Sequence, residues 1–339
     1  MNILLDAGSG GRASMRLIHE LFFKYFENDI LVKMDDAAYL EMKSPLAMST
    51  DSYTVSPLFF RGGNIGTLAV HGTVNDVSML GARPRYLSCG FIIEEGFSYE
   101  ELEEIVKSMA ESAKEARVKI VTGDTKVVTK GACDKIFINT TGIGEIIPPR
   151  SKFGSPSGAN AKAGDVILIS GTMGDHGLTV MAERENLSFV SDVQSDSASL
   201  NHMIERLMLE VGEVHVLRDP TRGGVATTLN EIAGQSKVRC VLFEENLPVR
   251  ENVRSGASIL GIDPLYLANE GKLLCFVPKD EADKALAIMK EDKNGKEAAL
   301  IGEVAELPEG KNGQVVLQTK MGGMRLLNML EGAVLPRIC

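Results

Sequence analysis

A chain of 339 residues with 44% hydrophobic and 24% charged residues has the make-up of an ordinary globular protein and room for two domains. Its 46 acidic residues against 36 basic ones leave a net charge of −10, which argues against general affinity for nucleic acid or anionic membrane and leaves small molecules and proteins as partners. No uncharged apolar run reaches the ~18 residues of a membrane span, and Met1 to Gly11, with an acid at Asp6 and no basic lead, does not read as a signal peptide.

The first predicted elements are a glycine-rich loop, Gly8-Ser9-Gly10-Gly11, and a helix over 13–26 in which Met15, Leu17, Ile18, Leu21, Phe22 and Tyr25 recur at helical spacing. Such a loop feeding a helix can wrap phosphate oxygens with backbone N–H groups, although it is neither a Walker A nor a G-x-G-x-x-G sequence. Strands are expected at Ile30 to Lys33, Ala38 to Met42 and Leu46 to Thr50, with Asp35-Asp36 between the first pair and Asp51 just past the third. Carboxylates at strand ends suit Mg²⁺, which takes a few hard oxygen ligands and keeps its waters; a polar turn is the plainer reading.

The segment from Gly62 to Ala82 carries one formal charge, Asp76. In helical projection Asp76 shares a face with Ala69, Gly72 and Met79, while Val70, Val74 and Val77 make a second apolar face, so the helix is expected to be buried. A lone buried carboxylate costs several kcal/mol unless it is paired or metal-bound. Something cationic should therefore meet Asp76, with a salt bridge to Arg61, Arg83 or Arg85 as the structural alternative. Glu100 to Glu115 reads as an amphipathic helix. A strand from Val118 to Thr122 then ends in Gly123-Asp124-Thr125-Lys126, where Lys126 can meet phosphate or a developing negative charge. A further strand runs from Ile136 to Ile147.

Pro148-Pro149 through Ala163, small and polar with no hydrophobic period, is a boundary. Beyond it come a strand from Val166 to Ser170, the glycine-rich turn Gly171 to Gly177 and a helix from Leu178 to Glu185. His176 in that turn has no His or Cys at metal-ligand spacing, which argues against a zinc site. Asp219-Pro220-Thr221-Arg222-Gly223-Gly224 leads into a helix from Val225 to Ala233, and Asn269-Glu270-Gly271-Lys272 precedes a strand from Leu273 to Val277. Taken singly, Glu270 reads as an exposed turn residue.

Glycines at 322, 323 and 332 limit the stretch from Gly322 to Leu335 to one short helix around Met324 to Leu330. The rest is a tether of roughly 40 Å at ~3.3 Å per residue, able to move the final Pro336-Arg337-Ile338-Cys339 between an interior site and the surface. Arg337 favours a thiolate and the terminal carboxylate opposes it, so exposure of Cys339 rather than a low pKa is expected. A prenylation signal would need the cysteine fourth from the end. Cys89, Cys240 and Cys275 sit in apolar, strand-like settings as small buried hydrophobes, and with no CxxC spacing a reducing, cytoplasmic setting is expected.

Taken together, Gly8 to Gly11, Asp35-Asp36-Ala37-Ala38, Thr50-Asp51, Asn75-Asp76-Val77-Ser78-Met79-Leu80-Gly81-Ala82, Gly123-Asp124-Thr125-Lys126, Gly174-Asp175-His176-Gly177, Asp219 to Gly224 and Asn269 to Lys272 resemble the motifs of the PurM-like superfamily of ATP-dependent enzymes. That superfamily includes aminoimidazole ribonucleotide synthase, selenophosphate synthetase and thiamine monophosphate kinase. The closing Pro-Arg-Ile-Cys makes the chain most similar to its HypE family of hydrogenase maturation factors, also described as AIR synthase-related. The resemblance implies an α/β (α+β) two-domain fold. An N-terminal domain over 1–148 would bind ATP and form a β-barrel-like dimer core with its copy, a C-terminal α/β sandwich domain would span 164–320, and a mobile tail over 322–339 would carry the reactive Cys339.

The resemblance also implies a reaction: ATP-dependent dehydration of a carbamoyl group on Cys339 to a thiocyanate, with the carbamoyltransferase HypF as donor and the HypC and HypD proteins holding the receiving iron of a [NiFe]-hydrogenase centre. It assigns Gly10, Gly11, Asp51, Asp76, Asp124, Thr125 and Arg222 to ATP, and Asp36, Asp51, Asp76 and Asp124 to Mg²⁺. Lys126 would stabilise charge, and Glu270 would remove protons from nitrogen. Selenophosphate synthetase would carry a reactive cysteine near the N-terminal glycine loop, and no cysteine precedes Cys89. Another PurM-like enzyme acting on a small-molecule amide or phosphate acceptor would need no terminal thiol, and a non-catalytic docking protein would show no ATP turnover.

Overall fold

The apolar period of residues 13–26 builds one helical run: α1 (Gly11–Leu17), a π-helical stretch Ile18–Phe23 and α2 (Lys24–Phe26), burying Leu17, Leu21, Phe22 and Phe26. The computed structural model describes residues 2–8, 11–33, 37–187, 192–329 and 338–339. Of the three strands expected next, only β1 (Leu46–Tyr53) forms; Leu31–Lys33 is a 3₁₀ turn and 38–42 is irregular. Asn28 accounts for the turn, because its side-chain oxygen accepts from the N–H groups of Ile30 and Leu31 that a strand would need for its ladder.

A short hairpin of β2 (Phe59–Phe60) and β3 (Gly63–Asn64) leads into α3 (Ile65–Met79), the expected buried helix. Asn64 caps it, accepting from the N–H groups of Gly66 and Thr67, while Thr67 Oγ1 accepts from Asn64 N–H. After β4 (Ala82–Glu94) comes α4 (Tyr99–Ala116), then β5 (Lys119–Val128) and β6 (Ile136–Ile146). The sheet order is β1-β6-β4-β5, with only β4 and β5 parallel. Helices α3 and α4 cover one face, where Cys89, Phe91 and Ile93 are buried.

The strand expected to stop before Gly123 runs on to Val128. Asp124 pairs with Gly90 and Lys126 with Ile92, one register position away from the inward-facing Cys89, Phe91 and Ile93. Side chains alternate along a strand, so Asp124 and Lys126 stand on the outer face, away from the helices.

Beyond the irregular 147–164 stretch, β7 (Asp165–Ile169), α5 (Asp175–Arg184), α6 (Asn201–Glu210), β8 (Val216–Arg218), α7 (Gly224–Ser236) and β9 (Arg239–Phe243) follow. Then come α8 (Glu251–Ile259), β10 (Leu274–Pro278), α9 (Ala282–Glu291), β11 (Ala299–Ala305), β12 (Gln314–Gln318) and β13 (Met324–Leu326). The second sheet runs β13-β12-β9-β11-β7-β10-β8. Alternation along β7 explains its layers: Ile167 and Ile169 share a core with Val225 and Leu229 of α7, while Val166 and Leu168 share another with Met203 of α6 and Ile288 of α9. This is an α/β sandwich. The helix expected from Met324 is instead β13, since Gly322 at φ 84° and mutual backbone bonds of Thr319 with Gly322 and Gly323 turn the chain back onto β12.

Asn75 of α3 ties the two halves together. Its side chain donates to the carbonyls of Ala198 and Glu270 at 3.0 and 3.4 Å and accepts from Leu200 N–H at 2.8 Å. Cys89, Cys240 and Cys275 are buried in β4, β9 and β10 as expected, and all five cysteines are free. Among the described residues no helix is long and apolar enough to cross a membrane.

Candidate active site

Asp76 is the acid that the apolar α3 carries inward. Burial raises its pKa, opposed by the Ser49 hydroxyl, which donates to it at 2.7 Å. The arginines considered as structural partners bind elsewhere: Arg61 to Glu183, Arg83 to Glu205 and Arg85 to Glu145. The cationic influence on Asp76 comes from Arg218 and Arg222, across the junction with the second half.

Asp76 opens on a cavity of about 160 Å³ that also receives Asp51, Asp219, Arg222, Glu270 and Cys339. Glu270 is 4% exposed, and its Oε1 has no hydrogen-bond partner among the described residues. It is therefore a buried acid, contrary to the exposed turn expected of it alone. Burial, and then the charges of Asp219, Asp196, Asp51 and Asp76, push its pKa well up. The Asp219 carboxyl is raised to about 7 by burial and by Asp76.

The chain's last two described residues dock in this cleft. Ile338 is buried in the core that holds Val180 and Ala268, and Thr54 N–H donates to the Cys339 main-chain oxygen at 3.1 Å. The expected exposure of Cys339 is overturned: the thiol is largely buried, and burial followed by the Glu270 charge pushes its pKa up to about 12, with Arg222 opposing. Pro336 and Arg337 lie outside the described residues.

The remaining expected residues divide. Asp124, Thr125 and Lys126 line a separate cavity of about 370 Å³ walled by Leu17, Phe22 and Phe91, beside the helix that Gly11 begins. Lys126 lies 3.3 Å from Asp124, both exposed. Gly10 and Asp36 fall outside the described residues. The structure thus brings Asp51, Asp76, Arg222, Glu270 and Cys339 together and leaves Asp124, Thr125 and Lys126 apart from them within one chain. Asp219, quoted in a motif but given no role, belongs with the first group, as does Asp196 beneath Glu270. The signal for Asp219 was its place beside a proline ahead of a glycine-started helix.

No three His, Cys, Asp or Glu among the described residues form a ready metal cage. The donors around the cavity are hard carboxylate oxygens, and Glu270 Oε1 is unpartnered, which fits a cation such as Mg²⁺ that keeps waters and takes phosphate oxygens alongside a few protein ligands.

Comparison with known proteins follows the same division of the chain. Residues 34–146 match the N-terminal domain of AIR synthase related proteins, and residues 162–312 match their C-terminal domain. The chain is 49% identical over 333 residues to carbamoyl dehydratase HypE of Azotobacter vinelandii, covering 98% of this chain and 96% of that one. A crystal structure of hydrogenase maturation protein HypE in complex with ATP shares 63% identity at a TM-score of 0.95, covering 99% of each chain. A HypE–HypF complex shares 52% identity at a TM-score of 0.80, covering 93% of this chain and 99% of that one.

A carboxyl whose pKa is raised by folding holds its proton more tightly folded than unfolded. Its contribution to stability is complete below the unfolded pKa and is lost as pH rises through the folded one. For Asp219 that window runs from its ordinary 3.8 to about 7. Asp219→Asn should raise the melting temperature of the nucleotide-free protein more at pH 8 than at pH 4, measured by scanning calorimetry. An equal or smaller gain at pH 8 would contradict the crowded cluster.

Proposed function

The chain belongs to the HypE family of AIR synthase-related proteins, the carbamoyl dehydratases of hydrogenase maturation, and from that membership we propose how its own residues carry out the dehydration. The protein is a carbamoyl dehydratase. The observation that carries the mechanism is the docking of Cys339 beside the buried Glu270, whose Oε1 has no partner among the described residues.

In this reading the carbamoyl group rides on Cys339 into the cavity. Hydroxide is a poor leaving group, so the carboxamide oxygen first takes the γ-phosphoryl group of ATP and then departs as phosphate. The C–O bond breaks, the two N–H protons are lost, and a thiocyanate remains with ADP and phosphate as the other products. Mg²⁺, when bound, would neutralise the triphosphate, and Asp51, Asp76 and Asp219 are the groups to hold it. Arg222 faces the same space and stabilises negative charge there. Glu270 takes a proton from nitrogen. Burial and the neighbouring carboxylates favour its neutral form at rest and make it a strong acceptor once ionised.

Lys126 and Asp124 join this site only if a second copy supplies them. In one chain they sit on β5 and Asp51 on β1, opposite edges of a four-stranded sheet, so three strand spacings of roughly 4.8 Å separate them. They also stand on the outer face, where Leu46, Met48 and Ile92 expose apolar surface. A homodimer that covers this face and sets β5 of one copy against β1 of the other closes the open sheet into a barrel. It brings Thr125, Lys126 and the apolar pocket behind them, as a seat for the adenine, to the partner's Cys339 cavity.

The tail is loaded outside the cleft by HypF, and the cyano group passes afterwards to iron held by HypC and HypD. Five free cysteines agree with a cytoplasmic setting.

Intact mass after incubation with HypF, carbamoyl phosphate and ATP should show one carbamoyl group on Cys339 and then ATP-dependent loss of one water. An unmodified Cys339 in a protein that still hydrolyses ATP would favour a PurM-like enzyme of a small-molecule amide.

With pre-carbamoylated protein, water loss should accelerate as pH rises through an ionisation above the ordinary carboxylate range. Glu270→Gln should abolish that limb and slow the step by about 10²–10⁴-fold while carbamoylation proceeds. A Gln variant with full rate would exclude Glu270 as the base.

Mixing Lys126→Ala chains with Cys339→Ser chains should restore activity, because the mixed dimer pairs an intact Cys339 with the partner's intact Lys126. No recovery over the separate variants would place Lys126 in its own chain's site or outside the reaction.

A further inference from the structure

His176 has no place in the chemistry above, yet it is fully buried and touches the tail. It lies in the first turn of α5, with Phe60 edge-on to its ring. Its Nε2 is 2.9 Å from the Ile338 carbonyl oxygen and its Nδ1 is 2.8 Å from Ser195 Oγ. A carbonyl oxygen only accepts, so Nε2 carries a proton and donates it. In the neutral imidazole, the form that burial favours, Nδ1 then accepts from the Ser195 hydroxyl. Ser195 Oγ in turn accepts from Ser197 N–H at 3.1 Å, which orients the hydroxyl toward the ring.

The residue between those two serines reaches the catalytic side. Asp196 Oδ1 accepts from Glu270 N–H at 3.0 Å, and its Oδ2 lies 3.1 Å from Lys272 Nζ. Ser197 Oγ meets His71 Nδ1 of α3 at 2.9 Å, and Ser195 N–H donates to the Arg61 carbonyl at 2.9 Å. Three consecutive residues therefore fix the ring that grips the tail and the loop that carries Glu270. Among the described residues the tail is held by the Ile338 side chain in its apolar site, the Thr54 N–H and hydroxyl bonds to the Cys339 oxygen and the His176 bond to Ile338.

We propose that His176 is a positioning residue: held in its Nε2–H tautomer by Ser195, it sets the register of the docked tail so that the Cys339 sulfur faces Glu270, whose loop the adjacent Asp196 holds. Sliding the tail by one residue would give His176 a different carbonyl and move the sulfur off Glu270. The proposal rests on Cys339 as the reacting group. Its test reads tail position alone, so its failure would leave the dehydratase reading standing.

The test is timed alkylation of the full-length protein with N-ethylmaleimide, read for each cysteine by peptide mass spectrometry. His176→Ala should alkylate at Cys339 about 3–10-fold faster than the parent, the range of one hydrogen bond, and Ser195→Ala should fall between them. His176→Gln, whose amide keeps an N–H donor, should stay within about twofold of the parent. Buried Cys89, Cys240 and Cys275 should keep their parent rates throughout. Parent-like rates at Cys339 in both alanine variants would overturn the proposal. So would a parallel rise at Cys89, Cys240 and Cys275, because that reports loosening of the whole fold.

Discussion

Four carboxyl groups and a thiol share one small cavity, and the cost of burying them away from water, followed by the repulsion among those that ionise, is the constraint on which the rest of the structure depends. Asp51 and Asp76 come from a strand and a helix of the first half, and Asp219 and Glu270 from two loops of the second. Separated in water they would be ordinary ionised acids. Together and desolvated, three of them are pushed toward their neutral forms. Holding them there requires rigid attachment on every side. The apolar circumference of α3 fixes Asp76, and its neighbour Asn75 bonds to both the Glu270 loop and the approach to α6. At Gly271 the contact is closer still, since a Cβ there would come within 1.8 Å of the Asp196 carbonyl oxygen. Only glycine allows the Asp196 segment and the Glu270 loop to meet.

That arrangement suits a reaction in which charge appears and disappears. Burial that favours the neutral forms of Asp76, Asp219, Glu270 and the Cys339 thiol reduces the charge buried when the tail docks. A triphosphate bound with the proposed cation would reverse the balance, because carboxylates that repel one another when alone become ligands when a positive charge lies between them. Glu270 differs in that its Oε1 has no hydrogen-bond partner among the described residues, as the proton acceptor proposed above requires. The four-stranded sheet carries Asp124 and Lys126 on its outer face, apart from the Cys339 cavity of the same chain.

Much of this was legible in the sequence where a local pattern carries it. A single charge inside an apolar 3.6-residue period marked α3 and placed Asp76 inside it, and a proline-rich aperiodic stretch marked the boundary between the halves. Glu270 was not legible as a buried acid, because what buries it is a segment some seventy residues earlier and a helix from the other half. The outward orientation of Asp124 and Lys126 depends on β5 continuing past Gly123, and the glycine, a usual strand stop, suggested otherwise. There a Cβ would come within 2.4 Å of the Cys89 carbonyl oxygen, so the glycine serves close strand packing rather than a turn. Asn28 turned an apparent strand by accepting from the N–H groups of Ile30 and Leu31, and the docked tail is bonded by His176 and Thr54, neither near it in sequence.

Burial holds the docked Cys339 thiol in its neutral form, and its ionisation can be measured directly. Protein made with Cys339 carrying ¹³C at Cβ, titrated by NMR without nucleotide, reports the ionisation of that one sulfur. A chemical shift that stays at the thiol value through the range near 8.5 where an exposed cysteine ionises, and moves only toward about 12, is the predicted result. A midpoint at the ordinary value would mean that the sulfur rests in water, outside the carboxylate cavity.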